Sequence, residues 1–340
     1  MEKIEFSIII PVIHGGCFLR KALVSMRQID FPAHRFEVLV AGTRDSEESR
    51  MMVETEATTA EFHLRYIECA SPRRSSQLNA ACAIARGRVL VFADDDCVFV
   101  SDWLNEIHEA LQREPNVGAI GGPDELEHNG SAFALALDWT LSSPLVTGHL
   151  RRSAKPSIVK YYPKLYNMAV PHSVALGVAL EGKGAIPQVF DTRLLVHEDV
   201  DLANRIEQAE KQLVFAPKVR VRHYRNTTLR SFVMRNFNLA RTCRSLSVHR
   251  LPQALLTIFF LSTVTIAICS VFFWPLRSWL LIFMGIYIVS ILISAIGALK
   301  RTKRVSILAI VPLLLASLHF ARALGYLFPW RNWDSEEVHL

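Results

Sequence analysis

Two long stretches near the end of the chain contain no charged side chain. Residues 251–276 form the first and residues 278–299 the second, and only Arg277 separates them. About 20 helical residues cross a hydrocarbon core of about 30 Å, and both stretches exceed that length. They therefore predict two membrane-spanning helices, so the chain is not expected to fold as a single soluble globular domain.

A third apolar stretch, residues 305–330, is less uniform. Pro312, His319 and Arg322 interrupt it, so it predicts either a third spanning helix or a tilted, partly re-entrant one. In either case the arginine is expected to reach an interface or a polar cavity. A third span would place the polar tail, residues 331–340, outside the cell, whereas a re-entrant helix would keep it inside.

Charge is divided unevenly along the chain. Residues 1–210 carry 21 Lys or Arg and 29 Asp or Glu, whereas residues 211–340 carry 17 and 3. The basic second half favours an anionic partner, and membrane lipids fit better than nucleic acid because no basic motif with interleaved aromatics is present. Basic residues before residue 251 and at residues 300–304 predict a multi-pass protein of the inner (plasma) membrane. Its first 250 residues, which no secretory signal precedes, are expected in the cytoplasm.

The first 225 residues alternate short apolar runs with helical patterns. Strands are predicted at residues 7–12, 37–41, 63–69, 89–93 and 117–121, and helices at 17–29, 45–58, 75–86 and 101–113. This alternation predicts an α/β fold with a mostly parallel, doubly wound sheet. Residues 123–170 are interpreted as a substrate-facing insertion around a helix at 131–141. The predicted organisation is a catalytic domain at 1–225, a basic amphipathic interfacial helix at 226–250, two to three transmembrane helices within 251–330, and the tail.

Three consecutive carboxylates follow the strand predicted at residues 89–93. In an extended segment alternate side chains share a face, so Asp94 and Asp96 can converge on one cation while Asp95 points elsewhere. Two carboxylates leave a divalent ion open to phosphate oxygens, and open α/β sheets bind ligands at the carboxyl ends of their strands. The alternative is an acidic turn that caps the helix predicted from residue 101.

Four motifs surround these carboxylates in a recognisable order. They are Phe-Ser-Ile-Ile-Ile-Pro-Val at residues 6–12, Arg-Arg-Ser-Ser-Gln-Leu-Asn at 73–79, Arg-Gly at 86–87 and His-Glu-Asp-Val-Asp-Leu at 197–202. Over about residues 6–245 the chain resembles family 2 glycosyltransferases with a GT-A nucleotide-sugar-binding domain. Residues 121–123, residues 142–145 and the apolar tail are most similar to the membrane-anchored bacterial transferases of exopolysaccharide assembly, the succinoglycan-type group.

The resemblance implies roles for individual residues. Asp199 is matched to the general base that takes the proton of the acceptor hydroxyl, and Glu198 to a residue that orients the base or binds acceptor. Asp94 and Asp96 are matched to ligands of Mn²⁺ or Mg²⁺, with His223 as a third metal ligand or a diphosphate contact. The residues expected to bind the donor nucleotide are Pro11, Asp45, Arg73, Asn79 and Asp95.

Two of these assignments have structural alternatives. Glu198 and Asp199 open a helix predicted over residues 200–212, where the helix dipole alone favours acidic side chains. His223 follows a short predicted strand and is compatible with a purely structural role. Arg222 and Arg225 beside it could hold phosphate or contact lipid headgroups.

The chain departs from the family pattern in three places. Residues 40–45 read Val-Ala-Gly-Thr-Arg-Asp, where relatives have an acidic pair before Gly-Ser whose first Asp holds the nucleotide base. Residues 173–178 lack the basic Asn-Leu-Ala-x-Arg-Arg signature. The helix predicted at 228–250 lacks the Gln-x-x-Arg-Trp motif of processive synthases, which favours addition of a single sugar.

These expectations describe an inverting, metal-dependent transferase of the hexosyltransferase class. It would move one sugar from a nucleotide-sugar, with a UDP-sugar expected, to a membrane-held, lipid-linked or saccharide acceptor in polysaccharide biosynthesis. Two alternatives stay open, namely transfer directly to polyprenyl phosphate and a catalytically inert membrane subunit that binds a partner transferase. Retention of Asp94, Asp96 and Asp199 argues against the inert subunit, because buried acids cost stability.

Overall fold

The computed structural model describes residues 3–127, 131–143, 145–146, 161–181, 187–194, 196–224, 227–243 and 250–328. The chain divides into two compact units, the first made of residues 1–127 and 148–224 and the second of residues 128–147 and 225–340. Arg225, residues 244–249 and the polar tail lie outside the described residues, and so do residues 128–130, 144 and 147–160 of the insertion predicted at 123–170.

The elements alternate as strands and helices up to residue 223 and are helical afterwards. The strands are β1 (Phe6–Pro11), β2 (Phe36–Thr43), β3 (His63–Cys69), β4 (Val89–Ala93), β5 (Cys97–Phe99), β6 (Val117–Gly121), β7 (Asp124–Leu126), β8 (Asn167–Pro171), β9 (Gln212–Phe215) and β10 (Val221–His223). The helices are α1 (Gly16–Met26), α2 (Glu47–Ala57), α3 (Arg74–Cys82), α4 (Trp103–Arg113), α5 (Ala132–Ser142), α6 (His172–Gly177), α7 (Glu198–Gln208), α8 (Leu229–Cys243), α9 (Arg250–Cys269), α10 (Pro275–Thr302) and α11 (Ile307–Leu327).

Seven strands of the first unit form one sheet, in the order β3-β2-β1-β4-β8-β6-β9. Strand β1 is parallel to β2 and β4, β2 is parallel to β3, and β6 is parallel to β9, whereas β8 is antiparallel to both of its neighbours. A smaller sheet has the order β5-β10-β7. The predicted α/β fold with a mostly parallel sheet is confirmed.

Helices cover both faces of the large sheet, because successive residues of its central strands are apolar on both sides. Ile8 of β1 lies on one face and shares a core cluster with Leu19 of α1. Ile9 lies on the other face and packs in a second cluster with Leu78 of α3 and Leu202 of α7. Burial of each such side chain contributes about 1.5–3 kcal/mol, so both layers hold the sheet in place.

The fold brings several loops to one edge of the sheet. Strands β1, β2 and β4 are adjacent and parallel, so their carboxyl ends open on the same edge, where open α/β sheets bind ligands. The loop after β1, the turn after β2 and residues 94–96 after β4 therefore lie near one another.

The strands predicted at residues 63–69, 89–93 and 117–121 are observed with those bounds.

In the second unit, helices α5, α8, α9 and α10 pack against α11. Their shared core is apolar and includes Ala136, Leu137, Phe232, Ile291, Ala295, Ala298, Ile307, Val311, Leu314, Leu315 and Leu318. The indole Nε1 of Trp139 on α5 donates a hydrogen bond of 3.1 Å to Ser294 Oγ on α10. Helix α5, which the sequence predicted inside a substrate-facing insertion, is thus part of the helical unit.

The helix predicted to lie on a membrane surface packs along α11 in the structure. Phe232, Asn236 and Ala240 of α8 are buried four residues apart, which places them on one side of the helix. Arg322 Nε of α11 donates a hydrogen bond of 3.0 Å to Asn236 Oδ1. A Cβ atom on Gly325 would lie 2.3 Å from a backbone oxygen of α8, so only glycine permits this close approach.

Two helices, α10 and α11, are long and apolar enough to cross a membrane by length and composition, and the apolar part of α9, Gln253–Cys269, is shorter. The first predicted span therefore ends early. Helix α10 begins at Pro275, so Arg277, which separates the two apolar stretches, lies in its first turn. The third stretch is one continuous helix with Pro312 inside it.

Candidate active site

Residues 94–96 follow β4 directly, and each of the three carboxylates has a different partner. The relative exposures are 8% for Asp94, 0% for Asp95 and 4% for Asp96. The backbone N–H of Cys97 donates to the carbonyl of Asp94, which closes a turn and starts β5. Three buried acids in a row are costly unless each is paired, so their partners define the site.

Asp95 holds the loop after β1. Its Oδ2 accepts hydrogen bonds from the backbone N–H groups of Ile13, His14 and Gly15 at 2.8, 2.7 and 2.7 Å. Gly15 has φ 59° and Gly16 φ 51°, a left-handed conformation that glycine adopts readily. Burial raises the pKa of Asp95, and the hydrogen bonds from this loop offset the rise only in part. Asp95, which we predicted to bind the donor, therefore fixes the backbone of this loop.

Asp96 contacts His223 of β10. His223 Nε2 lies 2.7 Å from Asp96 Oδ1, and His223 Nδ1 lies 3.7 Å from Asp124 Oδ2. The pairing of β10 with β5 places His223 opposite Cys97, the residue after Asp96. A histidine whose second nitrogen faces a buried carboxylate has the arrangement common among metal ligands. Carboxylates suit ions such as Mg²⁺ and Mn²⁺, and imidazole is a common ligand of first-row transition metals, so these residues fit a divalent metal.

Asp94 is paired with Arg74, the first residue of α3. The two side chains form an ion pair, with Arg74 Nη2 directed at Asp94 Oδ1. Burial alone would lower the pKa of Arg74, but the charges of Asp94, Glu198 and Asp199 raise it. A guanidinium on Asp94 competes with a cation for that carboxylate, so a metal bound by Asp94 requires Arg74 to exchange partners.

Asp199 lies in the first turn of α7 and is paired with Lys164. The distance from Lys164 Nζ to Asp199 Oδ2 is 3.0 Å, and Asp199 Oδ1 accepts a hydrogen bond of 2.9 Å from the N–H of Val200. Burial alone would raise the pKa of Asp199, but the charges of Lys164, His197 and Arg74 lower it. Asp199 is therefore ionised at neutral pH, as a general base must be. Glu198 beside it is buried.

The other predicted nucleotide-binding residues have varied surroundings. Pro11 ends β1 and is paired in register with Ala41. Asn79 forms two hydrogen bonds with the backbone of Phe190, at 2.8 and 2.9 Å, so its amide ties α3 to the 187–194 segment. Arg73 Nη1 donates a hydrogen bond of 3.0 Å to the carbonyl of Thr192. Asp45 is exposed in the turn between β2 and α2. Their assignment to the donor stays a prediction.

The end of β2 is closely packed against β3. A Cβ atom on Gly42 would lie 2.3 Å from the phenol oxygen of Tyr66. That phenol donates a hydrogen bond of 2.9 Å to the carbonyl of Thr43. Tyr66 therefore occupies the space above Gly42.

Sequence reasoning missed four residues of this site. Arg74 was within a motif that we singled out, but Arg73 was chosen in its place. Lys164 and Asp124 are far in sequence from the residues that they contact, so no spacing rule identifies them. His14 is brought close by the Asp95 hydrogen bonds, and its Nε2 lies 3.7 Å from Asp96 Oδ2.

Residues 7–166 match the protein-family model described as Glycosyl transferase family 2. The match covers just under half of the chain. The prediction that the protein is a glycosyltransferase, an enzyme that transfers sugars, is thereby confirmed. The matched range contains residues 94–96 and Lys164 and ends before Asp199 and His223.

A solved glycosyltransferase structure shares the fold. The mannosyltransferase PcManGT from Pyrobaculum calidifontis, in complex with GDP-Man and Mn²⁺, is similar over 96% of this chain and 88% of its own, with a TM-score of 0.63 and 16% sequence identity. TarS 1-349 from S. aureus, in complex with UDP, is similar over 70% of this chain and 64% of its own, with a TM-score of 0.47 and 17% identity. The second likeness is too distant to carry an inference, and the first concerns the fold alone. No curated protein sequence matches the chain.

Proposed function

We propose that this glycosyltransferase is inverting and metal-dependent, and that it moves one sugar from a nucleotide-sugar to a membrane-held, lipid-linked saccharide acceptor in polysaccharide biosynthesis. The observation that carries the proposal is that Arg74 pairs with Asp94 while the charges of Glu198 and Asp199 also raise its pKa. The carboxylates that follow β4 and the carboxylate that opens α7 therefore belong to one site.

In this proposal, the residues after β4 hold the leaving diphosphate. Asp96 and His223 would bind the divalent metal, with Asp94 joining them once Arg74 exchanges partners. The metal supplies positive charge that stabilises the departing diphosphate. Arg74, released from Asp94, is available to a phosphate oxygen, since guanidinium groups bind phosphate in a bidentate manner. Asp95 keeps the loop after β1 fixed while these partners change.

Asp199 acts as the general base in the proposed reaction. An acceptor hydroxyl that reaches Asp199 gives its proton to a carboxylate oxygen while its own oxygen attacks the anomeric carbon. The leaving diphosphate departs from the opposite side, so the anomeric configuration inverts. Lys164 keeps Asp199 ionised and in place, and a positioned base of this kind contributes about 10²- to 10⁴-fold in rate.

The donor is a nucleotide-sugar, as in the complex of PcManGT with GDP-Man and Mn²⁺. A UDP-sugar is our expectation from the sequence motifs. The end of β2 does not specify the base, because Asp45 is exposed and Tyr66 covers Gly42. The nucleotide therefore has to be measured.

The acceptor is proposed to be membrane-held because of the composition of the second unit. Helices α10 and α11 are long and apolar enough to span a bilayer, and large apolar side chains of α10, such as Leu281, Ile286 and Ile293, are exposed. Exposed apolar surface of this extent marks contact with lipid or a partner. The basic residues before residue 251 and at residues 300–304 favour anionic lipid headgroups. We therefore propose that the protein lies in the inner membrane with its first unit in the cytoplasm.

The test is binding and turnover of a donor panel by the detergent-purified full chain. UDP-, GDP-, CDP- and dTDP-sugars are titrated with and without Mn²⁺, and nucleotide release is followed in vesicles made from a total bacterial lipid extract. We expect one nucleotide to bind in a metal-dependent manner and Asp96→Ala to abolish that binding. Asp199→Asn should retain donor binding and lower nucleotide release by about 10²- to 10⁴-fold.

Asp30→Asn, an isosteric change at an exposed carboxylate, is the matched control and should behave as the unchanged protein. Failure of every nucleotide to bind to folded protein would favour the inert membrane subunit. Unchanged turnover in Asp199→Asn would show that Asp199 is not the base. It would not affect the assignment of the donor site.

A further inference from the structure

A cavity of about 1230 Å³ lies at the edge of the large sheet where its parallel strands begin. Its lining includes residues that precede β1, β4, β6 and β9, and the end of the antiparallel strand β8. Arg88 and Asp94 flank β4 at its two ends, and extended chain of this length separates them by roughly 20 Å. The cavity is therefore distinct from the candidate active site.

The described lining of this cavity is basic. It contains four Lys or Arg side chains and four histidines against two acidic side chains. The four cations are Lys3, Arg86, Arg88 and Lys211, and the acids are Glu5 and Glu114. Glu5 is itself paired with Arg35 and His108. A concave surface that carries an excess of one charge concentrates ions of the opposite charge, so the cavity favours an anion.

Two of these cations, Lys3 and Arg88, have no side-chain partner within the part of the chain that the structure describes. Arg86 is paired with a buried carboxylate, and Lys211 Nζ donates a hydrogen bond of 2.9 Å to Asn116 Oδ1. The ammonium of Lys3 and the guanidinium of Arg88 are therefore available to a ligand. A guanidinium binds phosphate through two parallel N–H groups.

The backbone places Arg88 between Lys3 and His172. The N–H of Arg88 donates to the carbonyl of Ile4 at 3.3 Å, and the N–H of His172 donates to the carbonyl of Arg88 at 2.8 Å. His172 Nδ1 donates to the carbonyl of Gly87 at 2.9 Å, so its Nε2 remains for a ligand. Neighbouring strands are about 4.8 Å apart, and long side chains from three adjacent segments can converge on one phosphate group.

We propose that this cavity is a second anion-binding site of the glycosyltransferase, in which Lys3, Arg88 and His172 bind a soluble phosphate ester or diphosphate. The inference goes beyond the proposed function, because it needs neither the metal nor the donor. A phosphate group carries up to two negative charges and three acceptor oxygens, which match two cations and an imidazole better than a single carboxylate does. The cavity is larger than one phosphate group, so it has room for the organic part of an ester.

Inorganic pyrophosphate is the probe. Its binding to the detergent-purified full chain is measured by isothermal titration calorimetry in EDTA, so that no divalent metal can hold it at residues 94–96. We expect Arg88→Gln and Lys3→Gln each to weaken binding roughly tenfold, because each removes a hydrogen bond between charged groups. Arg88→Lys, which keeps the charge, should weaken it less. Asp96→Ala should bind pyrophosphate as the unchanged protein does.

Arg220→Gln, at an exposed arginine outside this lining, is the control and should leave the affinity unchanged. Pyrophosphate binding that survives both Arg88→Gln and Lys3→Gln, or that falls equally in Arg220→Gln, would overturn the inference. Loss of this binding in Asp96→Ala would overturn it too, because the diphosphate would then lie in the active site.

A parallel titration with dihexanoyl phosphatidic acid distinguishes a lipid headgroup from a soluble ligand. This short-chain lipid carries one phosphate group, so we expect it to bind more weakly than pyrophosphate. Tighter binding of the lipid, lost in Arg88→Gln, would show that the cavity receives a lipid headgroup and would overturn its assignment to a soluble ligand.

Discussion

Lys164 and Asp199 join two distant parts of the glycosyltransferase domain through an ion pair of 3.0 Å. Lys164 precedes β8 and Asp199 opens α7, so 35 positions of sequence separate them. Burial alone would raise the pKa of Asp199, yet the charges of Lys164, His197 and Arg74 lower it. The proposed base is therefore ionised well below neutral pH, and Lys164 has the largest share in that effect.

Replacing Lys164 should move the acid limb of activity to higher pH. Asp199 acts when ionised, so activity falls as pH drops through its pKa. Because Lys164 lowers that pKa, Lys164→Met raises it, and the fall begins at a higher pH. The measurement is the pH profile of kcat/KM, with Lys218→Met as the control, because Lys218 pairs with Glu106. An acid limb at the same pH in both variants would contradict the role given to Lys164.

Asp124 should act on the metal through His223. It is buried, and its Oδ2 lies 3.7 Å from His223 Nδ1, so Asp124→Asn removes the charge that favours a proton on that nitrogen. We expect the Mn²⁺ affinity to fall about 10- to 100-fold, while the variant still folds. Isothermal titration calorimetry with Mn²⁺ measures the affinity. Glu125→Gln, on the same strand but exposed, serves as the control, and an Asp124→Asn protein with full affinity would refute the assignment.

The sequence predicted the parts of this molecule that depend on local pattern. Strands β3, β4 and β6 were located to the residue because short apolar runs end in polar or turn-forming residues. The carboxylates after β4 were located because parallel strands end at a common edge. These are features that neighbouring residues determine, so one chain is sufficient to find them.

The partners of those carboxylates depend on tertiary contacts, and the sequence did not reveal them. Asp94, Asp95 and Asp96 were expected to differ only by alternation along a strand, yet Arg74, the loop after β1 and His223 each engage one of them. Asn79 was assigned to the nucleotide from its motif, whereas its amide is bonded to Phe190. Helix α5 was read as part of an insertion because packing against α11 leaves no signature in a short apolar helix.

The loop after β1 should loosen when Asp95 is shortened. Asp95→Ala removes the acceptor of three backbone hydrogen bonds, and each buried N–H left without a partner costs about 1–3 kcal/mol. Hydrogen exchange followed by mass spectrometry should show faster exchange of a peptide that covers residues 12–18. In Asp95→Asn, which keeps one acceptor oxygen, this peptide should exchange faster than in the unchanged protein and more slowly than in Asp95→Ala. Unchanged exchange in Asp95→Ala would mean that the glycine turn holds the loop without Asp95.

Glu37 should stabilise the first unit in a pH-dependent way. Its side chain is fully buried, accepts hydrogen bonds from Ser7 Oγ at 2.7 Å and from the N–H of Arg86 at 2.7 Å, and pairs with the Arg86 guanidinium at 2.8 Å. Burial alone would raise the pKa of Glu37, but these bonds lower it below the ordinary value of a glutamate. The stabilisation is therefore present above the unfolded pKa and is lost as pH falls through the lower folded pKa.

Glu37→Gln should accordingly reduce the free energy of unfolding by about 1–3 kcal/mol at pH 7, because neutral hydrogen bonds replace those to a buried carboxylate. Thermal melting of the detergent-solubilised chain between pH 3 and 7 gives the comparison. The unchanged protein and the variant should converge towards pH 3, because protonated Glu37 and glutamine are then alike. Glu61→Gln, at an exposed position before β3, should melt as the unchanged protein does throughout. A constant difference between the Glu37→Gln and unchanged curves down to pH 3 would show that shape, rather than charge, is what Glu37 contributes.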